Sequence, residues 1–236
     1  MTPVLRASPD VTIVTGAAGW LGTSLLEALA DGEGRWTRTG EIRALVREQR
    51  EAAAIATAWP AVRAVVGDVT RPATLEPLFE GLDGSVVDVL HGAGLIHPHR
   101  RTEELFAVNT EGTRTMLRMA ERVGARRFVY VSSNSPFGVN SHSGDRFRND
   151  EPYDPYYAYG RSKMDAELAV LDAVERGLDA VIVRPPWFYG PNQPPRQTTF
   201  FKLVRTGRFP VFGAGDQMRS MVYVGNLVQG VLRAEL

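Results

Sequence analysis

Short apolar runs alternate along this chain with longer segments whose apolar positions recur every three to four residues. Val11-Thr12-Ile13-Val14-Thr15 reads as a short buried strand, followed by a helix through Leu25, Leu26 and Leu29. Further strands are expected near Ile42 to Val46, Val62 to Val66, Val86 to Leu90, Phe128 to Val131 and Ala180 to Val183. The spacing predicts helices near Glu48 to Ala58, Ala73 to Phe79, Thr102 to Val123 and Tyr157 to Glu175, and an apolar one beginning near Leu227. Such alternation is the pattern of an α/β domain built on a doubly wound parallel sheet. Asp31 to Gly40 is a polar, glycine-bearing loop that lengthens the first crossover. After Arg184 the texture turns to prolines, glycines and aromatics as far as Gly215, and this stretch reads as a lid, because ligands bind beyond the carboxyl ends of parallel strands.

Composition narrows the function classes. A chain of 236 residues buries a full core and suits one α/β unit with a small appended region. Lys+Arg and Asp+Glu both total 27, so no global field draws the chain to nucleic acid or to an anionic membrane. Cysteine is absent, which removes disulfides, thiolate metal sites and a cysteine nucleophile. With no long uncharged apolar run and no apolar core in Met1 to Asp10, a cytoplasmic protein with a small-molecule substrate is expected.

Two local patterns carry chemistry. The first strand runs into Gly16-Ala17-Ala18-Gly19-Trp20-Leu21-Gly22 and then a helix. In that context Gly16 makes the tight turn, Gly19 lets the backbone approach a pyrophosphate, and Gly22 packs the helix on the strand. The helix N-terminus then faces the anion with unpaired N–H groups. The second pattern is Tyr159-Gly160-Arg161-Ser162-Lys163, which sets a phenol and an ammonium on one helical face. An ammonium near a phenol lowers its pKa and lets it exchange a proton near neutrality, which is the chemistry of alcohols.

Together these features resemble the extended short-chain dehydrogenase/reductase family, which includes NAD(P)-dependent epimerases, dehydratases, and hydroxysteroid and dihydroflavonol-type reductases. Thr15 to Gly22 is similar to the family's TGxxGxxG element, which implies cofactor contacts from Gly16, Ala18, Gly19, Trp20, Leu21 and Gly22. Gly67-Asp68-Val69-Thr70 resembles the segment whose Asp meets the adenine amine, with Val69 beside it, and His91-Gly92-Ala93-Gly94 occupies the small-residue stretch near the cofactor. Asn109 matches a mid-helix Asn counted with the catalytic set, and Phe128 to Ser133 resembles the strand bearing the catalytic Ser or Thr. Arg184-Pro185 with Tyr189-Gly190-Pro191 resembles the RPxxxYGP element, which brings Pro186 to the cofactor. The resemblance implies a Rossmann-type dinucleotide domain over residues 1–184 and a substrate-binding lid over 185–236, which is either incomplete at its C-terminus or a reduced lobe, because the family's chains run longer. It also implies a homodimer.

In the implied chemistry Tyr159 is the general acid or base, Lys163 lowers its pKa and reaches the nicotinamide ribose, and Ser133 holds the substrate oxygen. Ser132 and Ser135 read as strand-end caps. Val46 stands where an NAD enzyme places an acid, and Arg47 follows, with a guanidinium that suits a ribose 2′-phosphate. NADP is therefore the expected cofactor and NAD the alternative, with Arg43 a weaker candidate for the same contact. Substrate contacts are expected from Ser133, Asn134, Tyr159, Trp187, Asn192 and Arg219, the last resembling the diphosphate-binding arginine of nucleotide-sugar enzymes. Val224-Gly225-Asn226-Leu227-Val228 also looks like the corresponding stretch of 3β-hydroxysteroid dehydrogenases. Asn134-Ser135 lacks the acidic pair of sugar 4,6-dehydratases. Trp187, Phe188, Tyr189, Phe200 and Phe201 are candidates for an aromatic substrate wall. His97-Pro98-His99-Arg100-Arg101 reads as a solvated basic loop rather than a metal site. The leading expectation is an NAD(P)-dependent oxidoreductase of nucleotide-sugar epimerase type. A ketone reductase or hydroxysteroid dehydrogenase-like enzyme and a non-catalytic dinucleotide sensor are the alternatives.

Overall fold

The computed structural model describes residues 8–30, 35–98, 100–140, 142, 144–148, 150–211, 213–216 and 218–236. Part of the expected loop from Asp31 to Gly40, and His99 of the basic loop, lie outside them. In chain order the elements are β1 (Val11–Thr15), α1 (Trp20–Ala30), β2 (Glu41–Val46), α2 (Gln49–Ala58), β3 (Val62–Val66), α3 (Glu76–Phe79), β4 (Val87–His91), α4 (Glu103–Leu105) and α5 (Gly112–Arg122). They continue with β5 (Arg127–Val131), α6 (Ala158–Glu175), β6 (Ala180–Val183), β7 (Trp187–Tyr189), α7 (Pro195–Arg205), β8 (Met221–Tyr223) and α8 (Val224–Glu235).

The first six strands form one parallel sheet in the order β3-β2-β1-β4-β5-β6, and each begins and ends within one residue of its expected limits. The order reverses between β1 and β4, where a Rossmann-type sheet opens a crevice at the carboxyl ends of its strands.

Strand alternation sorts the core into two layers. Ile13, Leu45, Phe128 and Tyr130 face one side and pack with Met116 and Leu117 of α5 and Ala166 and Val170 of α6. Val14, Ala44, Val46, Val129 and Val131 face the other and pack with Leu25, Leu26 and Leu29 of α1, Ile55 of α2, and Leu227, Val228, Val231 and Leu232 of α8. The last helix therefore covers the sheet. The expected boundary after Arg184 assigned it to the lid, but its apolar face is buried against α1 and the ends of β5 and β6. What remains of the expected lid segment is the stretch from Pro185 to β8.

Three other expectations change. The segment from Thr102 to Val123 is interrupted: α4 passes into a π-helical turn, Phe106–Glu111, before α5 begins. The segment from Ala73 to Phe79 opens with a 3₁₀ turn, Pro72–Leu75. The lid, read as irregular, contains α7 and a two-stranded parallel pair in which Trp187, Phe188 and Tyr189 register with Met221, Val222 and Tyr223.

Because Leu232 is fully buried between α8 and the sheet layer, Leu232→Ala is expected to cost about 2–5 kcal/mol of stability. The urea midpoint reads this loss, and a change below about 0.5 kcal/mol, the range of a surface substitution, would show that α8 is not part of the core.

Candidate active site

The site is assembled at the carboxyl ends of β1, β4 and β5. After Thr15 the chain turns through Gly16 at φ 67°, a left-handed conformation that glycine adopts without penalty. A Cβ on Gly16 would lie 2.8 Å from the Gly92 carbonyl and the Ala93 nitrogen, so the turn is pressed onto the loop after β4. A Cβ on Gly22 would lie 2.1 Å from the Gly16 oxygen, so the first turn of α1 rests on the same bend. Gly19 is different. A Cβ there would meet the Gly16 oxygen at 3.1 Å and nothing else nearby, which leaves its face open to a cleft of about 220 Å³.

Gly16, Ala18 and Gly19 line that cleft, together with Val46, Arg47, Asp68 and Val69 from the ends of β2 and β3 and Ala93, Gly94 and Leu95 from the loop after β4. Beside Gly19 the first turn of α1 adds N–H groups with no intrahelical partner and the positive end of the helix dipole. A narrow groove with a glycine floor, an open helix N-terminus and a carboxylate at one end fits a dinucleotide. Of the expected cofactor residues, Trp20, Leu21, Gly22, Tyr159, Lys163 and Pro186 do not line the cleft. Leu21 packs on the α1 side of the core, Pro186 is half-buried at the entry to the lid, and Trp20 turns towards the lid.

Arg47 lies on the cleft rim, largely exposed, with Nη2 3.8 Å from Oδ2 of Asp68. Burial of the Asp68 carboxyl is outweighed by the Thr70 N–H and hydroxyl and by the charges of Arg47 and Arg71, which hold its pKa below the usual carboxylate value. Arg43 is elsewhere. Its guanidinium is buried away from the cleft and donates to the Leu78 and Glu80 carbonyls at 3.0 and 2.7 Å and to Glu41 at 2.9 Å, so it does not reach a ribose phosphate bound in the cleft.

Behind the Gly94 wall of the cleft, α6 carries Tyr159 and Lys163. A Cβ on Gly160 would lie 2.7 Å from the Ser135 carbonyl, so α6 begins tight against the 3₁₀ turn Ser135–Phe137 that follows β5. That contact sets the Tyr159 phenol beside Ser133. Burial raises the phenol's pKa, and the nearby Ser133 hydroxyl offsets part of the rise. Ser133 also shares a 3.1 Å contact with the Ser135 hydroxyl, accepts the Ser135 N–H at 3.2 Å, and lies 3.5 Å from the Asn134 amide oxygen. The buried Lys163 ammonium donates to the Val131 carbonyl at 2.8 Å and sits 4.4 Å above the Tyr130 ring. Its own pKa is lowered to about 7 by burial, against an opposing pull from Glu167. The expected lowering of the Tyr159 pKa by Lys163 is therefore not what this geometry produces: the ammonium is directed at a backbone carbonyl, and burial prevails at the phenol.

Asn109 lies in the π-helical turn, fully buried. Its Oδ1 accepts the Leu95 N–H at 2.7 Å, and its Nδ2 donates to the Leu95 carbonyl and to Ser162 Oγ, both at 2.9 Å. It touches the loop that walls the cleft and the helix that carries Tyr159. A Cβ on Gly94 would approach Asn109 Oδ1 to 3.3 Å and Lys163 Nζ to 3.8 Å, so cleft wall and ammonium are neighbours.

The lid sorts its aromatics by strand alternation. Trp187 and Tyr189 face α7, where Trp187 stands 4.9 Å from Phe200 and Tyr189 stands 6.1 Å from Phe201. Phe188 faces the other way and leaves the expected aromatic wall: its ring lies 4.6 Å from that of Trp20. The Arg219 guanidinium sits 4.7 Å over the Trp187 ring, so these two expected substrate contacts form one unit. Asn192, at φ 59°, shapes a turn after Pro191. His97 pairs with Arg196, and no cluster of metal-ligating side chains occurs among the described residues.

Glu167 escaped the sequence reading, although it continues the Tyr159 and Lys163 spacing by four residues. It is fully buried, accepts both Arg184 Nη2 and the Tyr153 hydroxyl at 2.8 Å, and fastens α6 to the start of the lid.

The family model described as the NAD dependent epimerase/dehydratase family matches residues 12–235. The uncharacterized protein y4nL of Sinorhizobium fredii (strain NBRC 101917 / NGR234) is 42% identical over 240 residues, covering 99% of this chain and 66% of that protein. The N-acetyl-alpha-D-glucosaminyl-diphospho-ditrans,octacis-undecaprenol 4-epimerase of Escherichia coli O157:H7 is 30% identical over 226 residues, covering 93% and 61%. Among solved structures, a double mutant of DesIV, a dTDP-glucose 4,6-dehydratase from Streptomyces venezuelae with NAD and DAU bound, aligns with a TM-score of 0.78 at 26% identity, covering 94% of this chain and 70% of that one. The chain spans slightly less than two thirds of the length of these curated relatives.

The buried Lys163 gives the site a pH signature. Its folded pKa of about 7 lies below the value of about 10.4 for a solvated lysine, so between those pH values the unfolded chain binds the extra proton. Stability then rises with pH across that window. The stability of the parent relative to Lys163→Met is expected to increase from pH 7 to pH 10 in urea titrations, and a flat difference would show that the ammonium is not desolvated.

Proposed function

Because the chain belongs to the NAD dependent epimerase/dehydratase family, we propose that it is an NAD(P)-dependent oxidoreductase acting at a secondary alcohol or ketone, in the manner of a nucleotide-sugar epimerase. The observation that carries the reading is the convergence of the Tyr159 phenol, the Ser133 hydroxyl and the Lys163 ammonium beside a glycine-floored cleft. Bound in that cleft, a nicotinamide dinucleotide supplies the hydride acceptor and donor.

Every other step falls to the chain. Ser133 holds the substrate oxygen beside the phenol, with Ser135 and Asn134 orienting its hydroxyl. Tyr159 gives a proton to that oxygen on reduction and takes it back on oxidation. A phenol is protonated at neutral pH, and burial shifts this one in the same direction, so the side chain serves as the proton donor to the substrate oxygen. Lys163 fixes the carbonyl end of β5 and contributes positive charge under the site. Asn109 holds the cleft wall and α6 at a constant separation. Arg219 stacked on Trp187 suits an anionic, ring-bearing substrate such as a nucleotide sugar.

A ketone reductase is the second reading, and Arg47 is the observation that favours it. Its exposed guanidinium at the cleft rim, beside Asp68, suits a ribose 2′-phosphate and hence NADP, the cofactor of many reductive reactions. A non-catalytic sensor is less well supported, because Ser133, Tyr159 and Lys163 are all present.

Tyr159→Phe is expected to lower hydride transfer, from UDP-glucose-type alcohols to oxidised nucleotide and from reduced nucleotide to ketones, by about 10²–10⁴-fold while nucleotide binding is retained. Near-parental turnover, followed with deuterated reduced nucleotide, would overturn the mechanism. Arg47→Ala is expected to weaken NADPH binding by about 10–100-fold, the loss of a hydrogen bond to a charged group, and to spare NADH. Equal effects on the two nucleotides, read by fluorescence titration, would remove NADP as the preferred cofactor.

A further inference from the structure

Trp20 opens α1 immediately after Gly19, yet its side chain is directed away from the cleft and into the lid. The indole Nε1 donates to the Pro191 carbonyl at 2.7 Å, and the indole ring lies 4.6 Å from Phe188 at a tilt of 32°. These contacts join residues 171 positions apart, and they are made by a residue of the glycine turn itself.

The receiving side is built to hold its position. Gly190 adopts φ 145°, and a Cβ there would lie 2.7 Å from Val224 Cγ1 and 3.0 Å from Tyr223 Cε2, so the turn is pressed onto the end of β8 and the start of α8. Asn192, at φ 59°, is the one non-glycine residue with positive φ among the described residues, a conformation that asparagine tolerates better than most side chains. Gly190 N–H also meets the Gln193 amide oxygen, at 3.4 Å. Pro191 sits between these constraints, and its carbonyl is presented at a set place. Phenylalanine at position 20 would keep the ring contact with Phe188, but only an indole also supplies the N–H.

We propose that Trp20 is a latch that fastens the lid to the dinucleotide turn and gates the passage of the nucleotide. The proposal rests on the dinucleotide-site reading above and deepens it. Gly19 and Trp20 are consecutive, so a phosphate that settles on Gly19 displaces a backbone whose next side chain is tied to Pro191, and that tie resists the displacement during loading and release alike. A slow gate suits an epimerase-type cycle, in which one retained cofactor must serve an oxidation and then a reduction. Trp20 touches no reacting atom in this account and is a positioning residue.

The tie is made within the chain, so it restrains entry and exit alike. Breaking it accelerates both rates and leaves the affinity almost unmoved, whereas loss of a nucleotide contact would weaken affinity through release alone. The test is stopped-flow fluorescence on the 236-residue chain with NADH and with NADPH, measuring association and then release into an excess of the oxidised nucleotide. Trp20→Phe is expected to raise both rates about fivefold, equivalent to about 1 kcal/mol of barrier, with Kd within about twofold; Trp20→Ala, which also loses the ring contact, is expected to raise them further. Trp36→Phe is the control, because it removes a different indole hydrogen bond, 3.1 Å to Gln229 Oε1 on α8, and should leave both rates at the parental value. Parental rates in Trp20→Phe, weakened Kd with unchanged association, or equal acceleration in Trp36→Phe would each overturn the latch. A parent chain that binds neither nucleotide would instead overturn the dinucleotide reading, and the latch with it.

Discussion

A buried imidazole at the end of β4 fixes the parts of the site relative to one another. His91 Nδ1 lies 2.7 Å from the Thr15 hydroxyl and Nε2 lies 3.0 Å from the Thr113 hydroxyl. Thr113 donates to the Asn109 carbonyl at 2.6 Å, so it must accept from the ring, which assigns the proton to Nε2. Thr15 accepts the Ala93 N–H at 3.1 Å and is free to donate to Nδ1. The donors run in one consistent direction from the cleft wall, through the end of β1 and the ring, to the π-helical turn. Burial, reinforced by the charge of Lys163, pushes the His91 pKa down to about 3, so the ring stays neutral and the relay keeps its polarity. A charged ring would have two donors and no acceptor for Thr15.

What this relay places, the side chains of Asn109 and Glu167 extend. Asn109 converts the position of the π turn into a set distance between Leu95 and Ser162, and thus between the cleft wall and the helix that carries Tyr159. Glu167 carries the same helix to Arg184, where the lid begins. At the far side of the cleft Trp20 returns from the glycine turn to Pro191. The lid is therefore held at both ends by residues of the dinucleotide-binding fold, one a buried ion pair and the other a single indole hydrogen bond. The ion pair is costly to break because either partner alone would be left desolvated. The hydrogen bond is not, which makes it the natural place for motion.

Much of this was legible in the sequence because it is local. Six apolar runs of strand length, and a glycine turn between a strand and a helix, state their geometry within a few residues of themselves. The spacing of Tyr159 and Lys163 states a shared face in the same way. Features that depend on distant partners were not legible. The π turn has no local signature, since its register is tied to the bonds of Asn109 with Leu95 and Ser162. The strands β7 and β8 are three residues each, too short for periodicity, and they exist through pairing with one another. Arg43 and Arg47 look alike in sequence, but four positions along a strand separate a buried carbonyl clamp from an exposed rim. Phe188 looked like its aromatic neighbours until alternation turned it to Trp20. The relation of Lys163 to Tyr159 was read from spacing alone, and spacing does not say which way a long side chain reaches.

The central claim is that a nicotinamide dinucleotide occupies the glycine-floored cleft and remains there through turnover. The most direct measurement is the identity and amount of nucleotide released when the purified protein is denatured, read by mass and absorbance. The account predicts a nicotinamide dinucleotide approaching one per chain. Protein that carries none, and that takes up neither NAD(H) nor NADP(H) on equilibration, would contradict it.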